Sequence, residues 1–318
     1  MITFLYPGQG SQHPGMLDAL PRTASVEATM TAVSDALGHD VRDLDDADAL
    51  SSTVAAQLAL FTVGVAATRI LAEDDILPDA VAGHSIGAFA AAVTAGVITL
   101  EEGVQAVQLR AQVMQDLYPS GYGLLALLGA RLVDVERLVA EVGGADDLFV
   151  AMENAEEQIV LAGSDAAFER VRASAAKYQI REIRRLEVAV PSHCALMEPV
   201  AQAVAGVFHS LPARRPVIRY VSAMTARSAM TSAAVVADLT GGVAHRVRWR
   251  DATDLLAELG TSVVVQLSPG RTTAVLFATA HSVIPVVALD DAPYADSRLR
   301  IRKLTRAPRC AAQGTDED

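Results

Sequence analysis

The sequence predicts a mixed α/β fold in which a small subdomain is inserted into a larger domain built on a parallel sheet. Over most of the chain, short apolar segments of strand length alternate with segments of helical apolar spacing, as in parallel sheets covered by helices. Between Gly123 and about Val188 the order becomes strand, helix, strand, strand, helix, strand, which is the βαββαβ pattern of ferredoxin-like folds. We therefore expect a discontinuous large domain, residues 1–122 and 189–304, and a small subdomain, residues 123–188.

The first part of the large domain is expected to supply two strands and four helices. Pro78 interrupts the first helical region before a new strand, and Gly96 and Thr99 separate the last two helices. The expected segments are strand 2–6, helices 24–37 and 53–71, strand 79–83, and helices 88–95 and 100–117.

The remaining elements follow the same reasoning from apolar spacing and turn residues. A polar C-terminal tail, residues 305–318, contains Pro, Gly and acidic residues with few apolar ones, so we expect it to be disordered. The subdomain elements are strand 124–128, helix 133–142, strands 148–152 and 158–162, helix 165–178 and strand 180–188, and the large domain resumes with helix 195–211 and strands 217–222, 262–267 and 283–289.

Composition narrows the class of protein. The 318 residues are 51% hydrophobic but only 4% aromatic, so the core must consist mainly of Ala, Val, Leu and Ile. The formal net charge of −12 disfavours nucleic-acid binding, and an acidic partner would need a local basic patch. Cys194 and Cys310 are too isolated for a disulfide framework, and the N-terminus has no export pattern. We expect a cytoplasmic protein with no membrane-spanning helix and no metal-ligand cluster.

The segment Gly83-His84-Ser85-Ile86-Gly87 matches the G-x-S-x-G pattern of a nucleophile elbow. Small glycines allow a sharp turn that presents the serine hydroxyl above a sheet edge, and here an expected strand precedes the turn and an Ala-rich helix follows it. This context indicates an α/β-hydrolase-like large domain with Ser85 as nucleophile. The alternative is a serine that only caps the following helix.

A serine nucleophile needs a base, and histidine is the usual one near neutral pH. His193 follows Pro191 at the point where the chain re-enters the large domain, so its side chain can project into a cleft. The other six histidines are expected to be structural or at the surface, including His84 on the turn itself. The residue pattern alone leaves open whether His193 is catalytic.

Three segments together resemble a known family. Residues 6–12 (YPGQGSQ), 83–87 (GHSIG) and 190–197 (VPSHCALM) look like the signature segments of malonyl-coenzyme A:acyl carrier protein transacylases, in the same order and with similar separations. The resemblance extends to about Leu289. It implies that Ser85 accepts the acyl group, that His193 is the general base, and that Gln9 with the backbone amide of Ile86 forms the oxyanion hole.

The resemblance also assigns the substrate carboxylate and one further cleft residue. Arg110 matches the arginine that holds the malonyl carboxylate, for which a planar guanidinium is well suited. Without the resemblance, Arg110 would more simply be a surface residue paired with an acid. Asn154 occupies the place of a family asparagine near the cleft, although an asparagine in a turn often serves local backbone bonding. Cys194 is interpreted as a packing residue.

Two departures from the family pattern suggest a subfamily. Ala88 stands where the elbow is usually followed by an acidic residue, and Gly242 stands where a polar amide commonly supports the site. The first departure, with residues 20–21, 52–58 and 120–123, is similar to the epsilon subunit of bacterial malonate decarboxylase. That resemblance implies loading of malonyl onto a dedicated acyl carrier subunit, with other decarboxylase subunits as further partners.

The implied reaction is ping-pong transfer from malonyl-coenzyme A to a carrier-bound, phosphopantetheine-type thiol, with no permanently bound cofactor and with acyl carrier protein as partner. Malonyl loading for fatty acid synthesis is the alternative within the family. A serine hydrolase or thioesterase is the alternative from another class, and it would need an acid such as Asp134 or Glu153 to complete a triad. A non-catalytic scaffold would require that Gln9, Ser85 and the other site residues fail to converge.

Overall fold

The computed structural model describes residues 1–143 and 147–306, and its larger sheet has six strands. The sheet order is β10-β9-β1-β2-β7-β8, in which all neighbours are parallel except the antiparallel edge pair β7 and β8. The strands of the described residues are β1 (Ile2–Tyr6), β2 (Ala80–Gly83), β3 (Tyr122–Leu128), β4 (Leu148–Ala155), β5 (Gln158–Ser164), β6 (Glu182–Arg185), β7 (Arg219–Ser222), β8 (Arg227–Ala229), β9 (Val263–Gln266) and β10 (Val286–Ala288).

Helices cover this sheet, and local capping explains where several begin. Ser52 accepts a hydrogen bond from the Val54 amide at the start of α2, while Thr99 and Glu102 form a reciprocal capping box at the start of α4. The α-helices are α1 (Ala24–Leu37), α2 (Thr53–Ala72), α3 (Gly87–Thr94), α4 (Leu100–Leu117), α5 (Leu132–Val142), α6 (Asp165–Ser174), α7 (Glu198–Phe208), α8 (Ser232–Gly241), α9 (Trp249–Glu258), α10 (Thr272–Ala280) and α11 (Tyr294–Arg306).

The smaller sheet is antiparallel, with the order β4-β5-β3-β6. Helices α5 and α6 connect its strands in the sequence βαββαβ, and a separate apolar cluster that includes Leu125, Leu138 and Phe168 fills the space beneath them. The predicted ferredoxin-like insertion is therefore confirmed. Strand β6 is shorter than the predicted segment 180–188, because only Glu182–Arg185 pair with β3 as a strand.

Helix α2 is the most deeply buried helix of the large core. By length and composition it could cross a membrane, but 83% of its most apolar 18-residue window is buried inside the protein. Its N-terminal half packs against α4, and Gly103 of α4 approaches Phe61 so closely that an added Cβ would lie 2.5 Å from the ring. The apolar run from Thr53 to Ala72 is thus used as core, which explains its lack of charged residues before Arg69.

The two sheets are joined by backbone bonds beside the large sheet. The Glu153 amide donates to the Val247 carbonyl at 2.8 Å, and the Val247 amide donates to the Ala151 carbonyl at 2.9 Å. Strand β4 is thereby held against the segment before α9. Since the carboxyl ends of β1, β2 and β9 face the same side, the crevice between the two sheets lies where open parallel sheets bind ligands.

The last helix reaches the beginning of the predicted tail. Thr305 and Arg306 are the final residues of α11, and residues 307–318 of that prediction lie outside the described part of the chain.

Candidate active site

The turn between β2 and α3 carries Ser85 in a left-handed backbone conformation, with φ of 54°. Such a conformation is costly for a residue with a side chain and occurs at functional turns. The neighbouring glycines make the turn possible. A Cβ on Gly83 would lie 2.1 Å from the Ala88 nitrogen, and one on Gly87 would lie 2.4 Å from the Tyr6 carbonyl oxygen. The predicted elbow is therefore present.

Gly87→Ala is expected to destabilise the protein by about 3 kcal/mol, because the new methyl group would collide with the backbone of β1. Urea unfolding at equilibrium measures the change. The matched control is Gly206→Ala on the exposed side of α7, where an added Cβ meets nothing within 4 Å. There the higher helix propensity of alanine should stabilise the protein by about 0.5–1 kcal/mol. Equal effects of the two substitutions would contradict the steric argument.

Ser85 and His193 lie in direct contact although they are 108 residues apart. The distance from Ser85 Oγ to His193 Nε2 is 2.8 Å, and His193 Nδ1 lies 2.7 Å from the Gly242 carbonyl oxygen. A carbonyl can only accept, so Nδ1 carries the proton and Nε2 accepts from the serine hydroxyl. This is the geometry of a serine that is activated by a general base.

The group that orients His193 is a backbone carbonyl and not a carboxylate. Asp134 lies on α5 with its ion pair to Arg137, and Glu153 faces Arg250 at 3.8 Å. Neither acid contacts His193. The Ser-His-acid triad of the hydrolase alternative is therefore not formed by these two candidates. The absence of a side chain at Gly242 is tolerated because the contact with His193 is made by the Gly242 backbone carbonyl.

Burial, and to a smaller extent the positive charge of Arg110, lower the pKa of His193 to about 3. The hydrogen bond to the Gly242 carbonyl opposes both effects but does not offset them. His193 is therefore neutral at physiological pH and can accept a proton from Ser85. The neutral form is the one that a general base needs.

This pKa predicts a loss of stability in acid. The unfolded chain protonates this histidine below about pH 6.5, whereas the folded chain does not until about pH 3. Between pH 6.5 and 3 the unfolded state thus binds more protons than the folded state. The free energy of unfolding therefore decreases by about 1.4 kcal/mol for each unit that the pH is lowered below 6.5, and no such loss occurs above pH 6.5. Urea unfolding of wild type and His193→Gln between pH 7 and 5 should show this difference. As a control, replacement of the exposed His39 by Gln should leave the pH dependence of unfolding the same as in wild type.

Arg110 is a buried cation that points at the nucleophile. Its side chain is on α4 with 2% of the residue exposed, and Nη2 lies 3.4 Å from Ser85 Oγ. Burial lowers its pKa to about 10, so the guanidinium stays charged at neutral pH. Within the described ranges no carboxylate lies at ion-pair distance from it. These observations rule out the alternative of a surface residue paired with an acid, and a buried charge without a counter-charge next to a nucleophile is suited to an anionic ligand.

Gln57 supports Arg110 and was not predicted as a site residue. Its Oε1 accepts from Arg110 Nη1 at 2.5 Å, and its Nε2 lies 3.5 Å from both Gln9 Oε1 and Met114 Sδ. The residue is completely buried on α2. A polar side chain within the apolar run of α2 is the sequence signal that could have identified it.

Of the predicted oxyanion-hole residues, Gln9 lines the same cleft as Ser85, and Ile86 is its neighbour in the chain. Gln9 lies on the loop after β1, and Ile86 directly follows Ser85. In the described part of the chain, neither the Gln9 amide nor the Ile86 amide donates to another residue. Two free amides beside a nucleophile can receive the negative charge of a tetrahedral intermediate.

Asn154 lies in the cleft but contacts His84 and not the nucleophile. His84 Nε2 is 3.0 Å from Asn154 Oδ1, and the His84 ring packs edge-on against Trp249 with centroids 5.1 Å apart. Burial lowers the pKa of His84, so this ring is neutral. The structural role predicted for His84 fits these contacts, and Asn154 links β4 to the elbow.

The cleft has a volume of about 410 Å³ and receives side chains from both sheets. Gln9, Ser85 and Arg110 line one side, and Asn154 with other small-subdomain residues lines the opposite side. Across residues 1–143 and 147–306, no group of three His, Cys, Asp or Glu side chains is placed to hold a metal ion. The scaffold alternative required that the site residues lie apart. Because they line one cleft, that requirement is not met.

Residues 3–293 match the model of the acyl transferase domain. The chain belongs to this acyl transferase family. The resemblance predicted from residues 6–12, 83–87 and 190–197 is therefore confirmed. A relative, the malonyl CoA-acyl carrier protein transacylase of Haemophilus influenzae, is 32% identical over 280 residues, which cover 85% of this chain and 89% of the relative.

Solved acyl transferase structures superpose on the whole described fold. A malonyl-CoA:acyl carrier protein transacylase from Xanthomonas oryzae has a TM-score of 0.89 at 32% identity and covers 94% of this chain and 98% of its own. A malonyl-transacylase solved in complex with a type II polyketide synthase acyl carrier protein has a TM-score of 0.88 at 30% identity, covering 94% and 97%. The predicted fold class, a large α/β domain with a ferredoxin-like insertion, agrees with these neighbours.

Proposed function

We propose that this acyl transferase moves the malonyl group of malonyl-coenzyme A, through a malonyl-Ser85 ester, to the thiol of an acyl carrier protein. The observation that carries the proposal is the unpaired, buried guanidinium of Arg110 at 3.4 Å from Ser85 Oγ. A neutral acyl group would leave this charge without a counter-charge, whereas the malonyl carboxylate can neutralise it and accept hydrogen bonds from it. The related transacylases, which act on the same substrates, support this choice.

The first half-reaction forms the ester. Ser85 Oγ attacks the thioester carbonyl while His193 Nε2 takes the hydroxyl proton, and the amides of Gln9 and Ile86 hold the oxyanion. Collapse of the tetrahedral intermediate breaks the carbon–sulfur bond. The coenzyme A sulfur leaves with the proton from His193, which restores the neutral imidazole.

The second half-reaction repeats these steps with a carrier thiol. His193 removes the thiol proton, the sulfur attacks the malonyl ester, and the proton returns to Ser85 Oγ as the ester bond breaks. Because Gly242 fixes the proton on His193 Nδ1, Nε2 serves both halves as the exchanging atom. No further cofactor enters this scheme, and ping-pong kinetics follow from it.

The large domain, residues 1–122 and 189–304, and the subdomain, residues 123–188, together enclose the malonyl-Ser85 ester and limit its hydrolysis by water. The large domain supplies Ser85, Arg110 and His193, and the small sheet supplies the opposite wall of the cleft. We place the reaction in the cytoplasm, a reducing compartment that suits the free thiol of Cys194.

Intact-protein mass spectrometry with a carrier bearing its prosthetic thiol tests the proposed transfer. Malonyl-coenzyme A alone should add one malonyl group to the enzyme, and subsequent addition of carrier should move that mass to the carrier. Acetyl-coenzyme A should label the enzyme weakly. Equal labelling by the two donors, or hydrolysis that outpaces transfer to the carrier, would favour a hydrolase or thioesterase.

We further propose that the natural acceptor is the carrier subunit of malonate decarboxylase. The support is Ala88, which replaces the acidic residue that usually follows the elbow and lies against the small cavity beside Ser85. Transfer rates to that carrier and to a fatty-acid-synthesis carrier, measured with the same malonyl-enzyme, decide between them. At least a tenfold preference for the decarboxylase carrier is expected, and the reverse preference would assign the enzyme to fatty acid synthesis.

A further inference from the structure

A buried carboxylate lies behind the reacting groups and has no part in the scheme above. Asp238 of α8 is 5% exposed and accepts hydrogen bonds from Tyr220 Oη at 2.6 Å, from Ser222 Oγ and from the Met224 amide at 3.2 Å. Burial raises its pKa, while these donors oppose the shift. All three donors belong to β7 or to the turn that follows it, so the carboxylate ties α8 to the edge of the large sheet.

The turn at the end of α8 holds His193 through two contacts. The Gly242 carbonyl accepts from His193 Nδ1, and the Val243 carbonyl accepts from the His193 amide at 2.7 Å. His193 has φ of 67°, in the left-handed region, so its backbone needs external restraint. The Gly242 amide in turn donates to the Asp238 carbonyl at 2.9 Å. A continuous set of hydrogen bonds therefore runs from β7 through Asp238 to the imidazole.

A carboxylate is an unusual choice for this position. Its neighbours on α8, Val235 and Leu239, are buried apolar residues, and an apolar residue would avoid the desolvation of a charge. A fully hydrogen-bonded buried polar group, however, fixes one arrangement of its surroundings more strictly than apolar packing does. Asp238, Gly242 and His193 also line the same small cavity beside Ser85, so a shift of α8 would reach the nucleophile directly.

We propose that Asp238 is a positioning residue for acyl transfer, which anchors the end of α8 to β7 and so fixes the Gly242 carbonyl that holds His193 Nε2 toward Ser85. This inference rests on the roles of Ser85 and His193 in the proposed function. It assigns to strand β7 and helix α8 the task that a triad carboxylate performs in hydrolases, namely to fix the tautomer and direction of the imidazole.

Single-turnover formation of the malonyl-enzyme tests the effect on rate. Asp238→Ala, which removes the anchor, should slow acylation about 10- to 100-fold with little change in the concentration of malonyl-coenzyme A needed for half-saturation. Asp238→Asn keeps Oδ1 as acceptor for Ser222 and for the Met224 amide, so its rate should stay within about fivefold of wild type. A rate for Asp238→Asn as low as that of Asp238→Ala would overturn anchoring.

A matched control separates positioning from loss of stability. Thr261→Val removes a buried hydroxyl that bonds to Thr3 at 2.8 Å, at the amino end of β9 and away from the cleft. Both Thr261→Val and Asp238→Ala should lower the melting temperature, but Thr261→Val should keep at least half of the wild-type rate where it is folded. Equal losses of rate in the two folded variants would overturn the proposal.

Nitrogen-15 NMR of histidine-labelled enzyme reads the ring directly, without turnover. Wild type should show a neutral, Nδ1-protonated His193, assigned by its absence in His193→Gln, and Asp238→Ala should show a mixture of tautomers. An unchanged single tautomer with an unchanged rate would overturn the inference alone. Absence of any malonyl adduct on wild type would instead overturn the proposed function.

Discussion

Ser85→Ala is expected to remove the covalent malonyl adduct and to lower malonyl transfer by about 10⁴- to 10⁶-fold. The reason is that Ser85 Oγ is the atom that His193 Nε2 contacts at 2.8 Å and that Arg110 Nη2 approaches at 3.4 Å. Removal of a nucleophile that acts as one unit with its base eliminates nearly all of their joint contribution. Intact mass after brief exposure to malonyl-coenzyme A measures the adduct, and transfer to the carrier measures the rate.

The control for this experiment is a second serine of the same cleft. Ser192 lines the cleft next to His193 and is 4% exposed, yet it does not contact Ser85. Ser192→Ala should therefore form the adduct at a rate within a few fold of wild type. Persistence of a full malonyl adduct in Ser85→Ala, mapped by peptide analysis to another residue such as Cys194, would contradict the assignment.

The part of the site that could be predicted from the sequence is the part whose geometry requires particular neighbouring residues. A serine in a left-handed turn needs glycines on both sides, since the Cβ contacts at Gly83 and Gly87 are with backbone, and this leaves a readable pattern. The role of Gly242 could not be predicted from the sequence, because every residue has a backbone carbonyl and only the fold brings the Gly242 carbonyl to His193. The same holds for Asp238, whose partners Tyr220 and Ser222 lie on a strand distant in sequence.

For the fold too, some elements could be predicted from local sequence and others could not. The limits of α1 and α4 agree with the predicted segments, because capping residues such as Thr23 and Thr99 mark their starts. Helices α8 to α11 and strand β8 were not predicted. Strand β8 has three residues and depends on its pairing with β7, while α9 mixes charged residues with the buried Trp249 on one face. A strand this short is decided by tertiary contacts more than by local propensity, whereas the amphipathic pattern of α9 is a sequence signal from which that helix could have been predicted.

The second large effect is expected from Arg110→Met, which removes the charge and keeps an unbranched apolar side chain. A bound malonyl carboxylate would then be buried without its cation, and breaking a buried charge pair costs about 3–5 kcal/mol. Malonyl transfer should fall roughly 10²- to 4 × 10³-fold, since each 1.4 kcal/mol is a factor of ten. Acetyl transfer should stay equal or rise, because an acetyl group has no carboxylate to lose.

The measurement is the ratio of malonyl to acetyl labelling, which does not depend on how much enzyme is folded. Arg69→Gln serves as control, since Arg69 of α2 donates to Thr29 of α1 and does not line the cleft. It should leave the ratio unchanged. Equal losses of both acyl groups in Arg110→Met would show that Arg110 acts through folding or through His193, whose pKa its charge lowers, and not as the carboxylate clamp.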